Sequence, residues 1–244
     1  MKKFVFVVIS CLFFSMAFSQ ETEPSTTNNN KLNFTNRSGD HFMIQLSSDH
    51  WSGMPDSISS HQSGFSRGFN AYVMLNKPFK TSPKLSLGIG LGISTSNMVF
   101  KKMDINVKAA PGLLPFTALD SATHFKKYKL ATSFLEIPLE FRYTSKPNNP
   151  NKSVKAALGL KVGTMVNAHT KGKTLQDKNG TTLNAFVQKE NSKRFFNTTH
   201  FMATARVGYG IFSLFGSYQL NKLLKEGAGP DIKLYQVGLT ISGL

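Results

Sequence analysis

The sequence predicts an all-β fold, an eight-stranded antiparallel up-and-down β-barrel that crosses a membrane with its strands. Three observations predict it: period-two alternation in eight segments, connections that are short on one side and long on the other, and an export leader at the N-terminus.

The leader comes first. Lys2 and Lys3 precede the apolar run Phe4 to Phe14, and Ala17-Phe18-Ser19 supplies small residues at a cleavage site. That order predicts a signal peptide over residues 1–19, with an apolar core too short to span a bilayer. Residues 20–38 are polar and rich in Ser, Thr and Asn, and are expected to form a flexible N-terminal linker. Residues 39–244 are expected to form one outer-membrane barrel domain. The single cysteine, Cys11, falls in the leader, so the exported part is expected to have no disulfide framework and no thiolate metal site. No later stretch reaches the roughly 18 apolar residues of a membrane-crossing helix.

The strands follow in order. Phe42, Ile44 and Leu46 alternate with Met43, Gln45 and Ser47. Phe69, Ala71, Val73 and Leu75 alternate with Asn70, Tyr72 and Met74. Leu85 to Ile93 alternates with Ser86, Gly88, Gly90, Gly92 and Ser94. Leu135 to Tyr143 opposes Glu136, Pro138, Glu140 and Arg142, and Ala156 to Val162 opposes Ala157, Gly159, Lys161 and Gly163. Phe201 to Tyr209, Phe212 to Leu220 and Tyr235 to Ile241 complete the set. Pro138, lacking an N–H, is expected to require a local bulge.

Short links join these strands at Pro78–Pro83, Ser145–Lys152 and Tyr209-Gly210; long ones run Ser52–Arg67, Lys101–Lys129 and Lys171–Thr199, with Asn221–Asp231 intermediate. Such segregation of loop length by side is what insertion from the periplasm produces.

The polar faces indicate which side is enclosed. Glu136, Glu140, Arg142, Lys161 and Arg206 share the small-residue side of their strands, with glycines as space-makers. They are expected to form a charge network in a narrow lumen, since an unpaired interior charge costs several kcal/mol. The apolar faces then meet lipid, and Trp51, Phe141, Tyr143, Tyr209, Tyr218 and Tyr235 are expected at the membrane interfaces.

The formal charge of +16 calls for an anionic partner. For an exported chain nucleic acid is set aside, and outer-membrane lipid and lipopolysaccharide are expected. The expected contacts are Lys101, Lys102, Lys108, Lys126, Lys127 and Lys129 in one long loop, and Lys171, Lys173, Lys193 and Arg194 in another. The apolar stretch Ala109–Phe116 in the first of these loops is a candidate dock for an envelope protein partner.

The segment Ser133-Phe-Leu-Glu-Ile-Pro-Leu-Glu-Phe-Arg-Tyr143 resembles a strand of the PorT-like outer-membrane β-barrel proteins of Bacteroidetes-type bacteria. Ala157–Gly163 resembles the next strand, and Ser217–Pro230 with Val237–Ile241 the closing hairpin. The resemblance implies the same barrel and location, and its namesake implies service to a secretion and gliding apparatus.

Catalytic patterns are sparse. Asp49-His50 and His61-Gln-Ser63 have residue types suited to hydrolysis but no specific spacing, and His124, His169 and His200 lack metal-ligand spacing and are expected to be solvated. Gly88-Ile-Gly-Leu-Gly92 lies in an alternating strand and is read as lumen packing. Asp177-Lys-Asn-Gly180 is read as a turn of a hairpin standing above the membrane. The expected role is therefore non-enzymatic, without cofactor: a structural or interaction barrel, including a subunit of an envelope or secretion complex. The alternatives are a narrow pore or solute carrier, and a soluble periplasmic lipocalin-like ligand-binding barrel.

Overall fold

The computed structural model describes residues 42–63, 65–110 and 112–242. The segments expected as leader and linker, 1–19 and 20–38, lie outside the described residues. In chain order the strands are β1 (Phe42–Ser52), β2 (Arg67–Pro78), β3 (Leu85–Phe100), β4 (Met103–Ile105), β5 (Phe116–Ala118), β6 (His124–Thr144), β7 (Val154–Gln176), β8 (Thr182–Asn191), β9 (Thr199–Tyr209), β10 (Phe212–Gln219) and β11 (Lys233–Ser242). Eight of these form a closed antiparallel ring in the order β1-β2-β3-β6-β7-β9-β10-β11. Pairing of β1 with β11, from Met43 opposite Ser242 to Ser52 opposite Lys233, closes the barrel.

Alternation sets the faces, because successive side chains of a strand point to opposite sides. Leu46, Val73, Ile89, Leu139, Leu160 and Leu239 face outward and are exposed. Gln45, Asn70, Glu140, Lys161, Arg206 and Thr240 face inward and are buried. A soluble ligand-binding barrel has the opposite arrangement, an apolar interior and a wetted exterior. This distribution overturns the lipocalin-like alternative.

Strand length carries a second message. A membrane-crossing strand needs about 9–11 residues. β3 has 16 residues, β6 has 21 and β7 has 23, so all three continue well past a bilayer on the long-loop side. Along that continuation the pattern inverts. On β6 Leu135 and Ile137 point outward and are exposed, whereas higher up Tyr128, Leu130 and Phe134 are apolar residues facing inward. On β3 the outward apolar series ends at Ile93, and above it Met98 and Phe100 are buried. The inversion marks where lipid gives way to water.

A bulge accompanies the change on β7. Ser133 pairs with Asn167 and Phe134 with Met165, so Val166 is left without a partner on β6. Inward positions on β7 are odd-numbered up to Met165 and even-numbered from Ala168. The expected bulge at Pro138 is not there. Pro138 stays in register with Lys161, and on its other side the ladder with β3 skips from Ile89–Leu139 to Gly92–Glu136 without a shift. A gap opposite Gly90 accommodates the missing N–H, and no residue is inserted.

The long connections fold over the upper opening. A helical turn, α1 (Asp56–Ser59), the β4–β5 hairpin, and the bridges Gln62–Phe100 and Phe196–Leu224 hold them there. Their apolar residues join Trp51, Met98, Tyr128, Phe134, Met165 and Met202 in one buried cluster that fills the barrel mouth. Trp51 thus points into this cluster, its ring 5.6 Å from that of Phe100, and does not belong to an interfacial girdle. The inward parity of odd positions on β1 puts it there. Phe141, Tyr143, Tyr209 and Tyr218 are outward and exposed.

Candidate functional site

Two regions hold the chemistry-bearing residues, the lumen and the sheet that β6, β7 and β8 raise above the membrane. Below the apolar cluster the lumen is filled by polar side chains. Towards the short-turn end Glu140 Oε2 lies 2.8 Å from Arg142 Nε and 3.1 Å from Arg206 Nη2. Further up, Glu136 takes a hydrogen bond of 2.5 Å from the Tyr72 hydroxyl. Its other oxygen sits 2.9 Å from His200 Nε2. Lys161 Nζ donates to Gln45 Oε1 at 3.0 Å and to Tyr72 Oη at 3.1 Å. Gln45 in turn donates to Thr240 and accepts from Asn70, which accepts from Ser94. Nearer the long-loop end Asp49 accepts from Ser47 at 2.5 Å and from Gln236 at 3.0 Å.

The small residues of the strands make this possible. A Cβ on Gly88 would stand 2.6 Å from Arg142 Nε, and one on Gly163 would meet His200 and Glu136. Gly88 and Gly163 therefore leave the volume that the guanidinium and the imidazole occupy.

The lumen takes in more residues than the five charged ones expected. Gln45, Asn70, Tyr72, Asp49 and His200 are buried in it as well. The first three stood on the polar face of their strands, a sufficient signal to anyone seeking hydrogen-bond partners as well as charges. His200, expected to be solvated, is 1% exposed and stacks on Phe134 with ring centroids 3.8 Å apart.

The hydrolytic patterns separate. Asp49 faces the lumen, whereas His50 faces outward, 2.9 Å from Ser48 Oγ and stacked on Tyr235. His61 lies between Asp120 at 3.1 Å and the Ser57 carbonyl at 3.1 Å, with Ser60 Oγ also 3.1 Å away. This cluster sits at α1 and its C-terminal flank. Among the described residues no three of the His, Cys, Asp and Glu side chains converge as a metal site requires.

The basic residues are arranged otherwise than expected. Lys126, Lys127 and Lys129 stand on β6, and Lys171 and Lys173 on β7, so these five belong to strands and not to loops. Strand pairing sets Lys129 opposite Lys171, and Lys171 opposite Lys189 of β8. One row higher, Lys127 is opposite Lys173. Lys101, Lys102 and Lys108 lie apart, around the β3–β4 turn and beyond β4. Arg194 donates to the Ala109 carbonyl at 3.0 Å and ties two loops together, and Lys193 donates to the Met165 carbonyl at 3.4 Å and ties its loop to the barrel. The apolar stretch Ala109–Phe116 is likewise committed in part: Leu114 is buried in the mouth cluster and its N–H donates to the Ala228 carbonyl at 2.8 Å. As expected, Asp177–Gly180 forms the turn between β7 and β8, the Asp177 carboxylate accepting from the N–H groups of Asn179 and Thr181.

A family model described as "Outer membrane protein beta-barrel domain" matches residues 18–227. No curated protein matches. Among solved structures, Ail, the attachment invasion locus protein of Yersinia pestis, is 13% identical, with 82% of this chain and 94% of that chain covered and a TM-score of 0.33. Its complex with the heparin analogue sucrose octasulfate gives 12% identity, the same coverage and a TM-score of 0.32. Neisserial surface protein A is 13% identical over 82% of this chain and 96% of that one, with a TM-score of 0.29. At these identities and scores the likeness adds nothing to the strand ring already described.

Proposed function

The chain belongs to the family of outer membrane protein beta-barrel domains, and from that premise we propose that it is a non-enzymatic interaction protein of the outer membrane. On this reading the barrel is an anchor, and its working surface is the sheet and loop cap outside the cell. The observation that carries the reading is the filled interior. An eight-stranded ring is only wide enough for side chains. Here the Glu140–Arg142–Arg206 cluster occupies its lower part and an apolar cluster occupies its mouth. A solute path would have to pass both, so the pore reading has no structural support. The likeness of Ser133–Tyr143 to PorT-like strands favours a place as a subunit of an envelope assembly, docked through the outer surface.

Planar-bilayer recording tests the anchor reading. The purified chain is expected to insert without unitary current steps, in neutral and in charged lipid alike. Reproducible ohmic steps from the unmodified chain would refute it and restore the pore.

A further inference from the structure

The outward face of the β6–β7–β8 sheet carries lysines in a pattern that the interior plug and the anchor role leave unexplained. Lys129, Lys171 and Lys189 are directly opposite one another on three adjacent strands, with Lys127 and Lys173 as the next pair above. Neighbouring strands are about 4.8 Å apart. Like charges in that arrangement repel and destabilise the sheet that holds them. No carboxylate stands in the row. Glu190 follows Lys189 but projects to the opposite face of β8, and Asp104 accepts from the Tyr128 hydroxyl on the inner side. One neutral contact is present, from Lys129 Nζ to Asn97 Oδ1 at 2.6 Å. Burial, together with the fields of Lys171 and Lys189, holds the Lys129 pKa below its ordinary value, and burial and the same lysines depress that of His169.

Height identifies the occupant. On β6 the outward positions climb from the exposed Leu135 through Ser133 and Ala131 to Lys129. On β7 they climb from exposed Val166 past His169 to Lys171. At about 3.3 Å per residue and a tilt near 40°, the row lies on the order of 15 Å above the last lipid-facing leucine. Flexible four-carbon stems can reach down from there. The headgroup layer adds about 5–8 Å to each side of the hydrocarbon, so the ammonium groups reach down to phosphates borne on the sugars of a glycolipid, whereas a soluble macromolecule would meet the cap first.

We propose that this lysine row binds the clustered phosphates of an outer-leaflet glycolipid headgroup, which bridges β6, β7 and β8 from outside. The inference deepens the interaction reading above by naming a ligand for one face, and it stands whether or not a protein also docks on the cap. Three ammonium groups on strands about 4.8 Å apart span roughly 10 Å, a width that two phosphates on one headgroup can bridge. The repulsion within the row then becomes binding capacity.

The test uses the full chain folded in phosphatidylcholine nanodiscs, with and without diphosphorylated lipid A. The variant Lys129→Gln/Lys171→Gln/Lys189→Gln is compared with Lys80→Gln/Lys84→Gln/Lys152→Gln, which removes equal charge from exposed positions near the short turns. A lysine near an anionic surface contributes about a fivefold gain in binding, so the row variant should lose about a hundredfold in lipid A affinity. The control should change less than about threefold. In phosphatidylcholine alone the row variant should melt higher than the unmodified chain, and lipid A should raise the melting temperature of the unmodified chain and of the control but not of the row variant. Equal losses in both variants, or a lipid A shift that survives in the row variant, would overturn the proposal. So would inorganic pyrophosphate shifting the melting temperature as strongly as lipid A, since the site would then take a free anion. Retention of an acidic protein with no response to lipid A would also overturn it.

Discussion

Replacement of Glu140 by Gln should cost the folded barrel about 3–5 kcal/mol, the range for removing one member of a buried charged group. One oxygen of this carboxylate lies 2.8 Å from Arg142 Nε and within 3.3 Å of two nitrogens of Arg206. Glu140 is 1% exposed, so solvent replaces little of what is removed. Gln preserves the shape and removes the charge, which isolates electrostatics from packing. Urea unfolding in lipid vesicles, read by the mobility of unheated protein on gels, gives the number. A loss below about 1 kcal/mol would mean that the guanidinium groups draw their stabilisation from elsewhere. Adding Arg206→Met to Glu140→Gln should recover part of the loss, because it removes one of the two buried guanidinium charges that the Glu140 carboxylate had offset. That non-additivity distinguishes a charge cluster from independent packing defects.

Phe196→Ala should be comparably severe, about 3–5 kcal/mol, but confined to the cap. Phe196 is fully buried in the mouth cluster and bridges to Leu224, while neighbouring Asn197 donates to the carbonyls of Lys222 and Leu224 at 2.8 Å each. The truncation therefore loosens the loop 192–198 and the loop 220–232 together. The ring below retains its own ladder, so gel mobility should stay that of a closed barrel. Limited proteolysis within 101–123 and 192–198 should accelerate by about a hundredfold or more, as local opening becomes easier. Cleavage rates matching the unmodified chain would show that the cap does not depend on this cluster.

The sequence made the membrane-facing part legible and hid the part above it. Leu85 to Ile93 and Leu135 to Tyr143 alternate against small and charged partners because lipid lies on one side and a narrow lumen on the other. Outside the bilayer that reason disappears. Lys127 and Lys129 become the outer residues of β6, Tyr128 and Leu130 the inner ones, and a rule that looks for greasy outer positions reads the segment as loop. β8, whose ten residues are nearly all exposed on both faces, showed itself only through the Asp177–Gly180 turn that precedes it. The lumen was half legible. Charges declared themselves, while Gln45 and Asn70 mattered only through partners on other strands, and His200 through its stacking on Phe134. The lysine row depends wholly on register: residues 129, 171 and 189 become neighbours only when three strands pair.

Val166 has a consequence for how this protein tolerates change in length. It is one surplus residue set aside from the ladder, so that β7 stays aligned with unbulged β6 above and below it. Removing that single residue would restore plain alternation from Met165 through Asn167 to Ala168, leaving Thr170 and Gly172 inward and Lys171 and Lys173 outward. A change of one residue at this point should therefore be absorbed by making or losing the bulge, with both faces of the strand preserved.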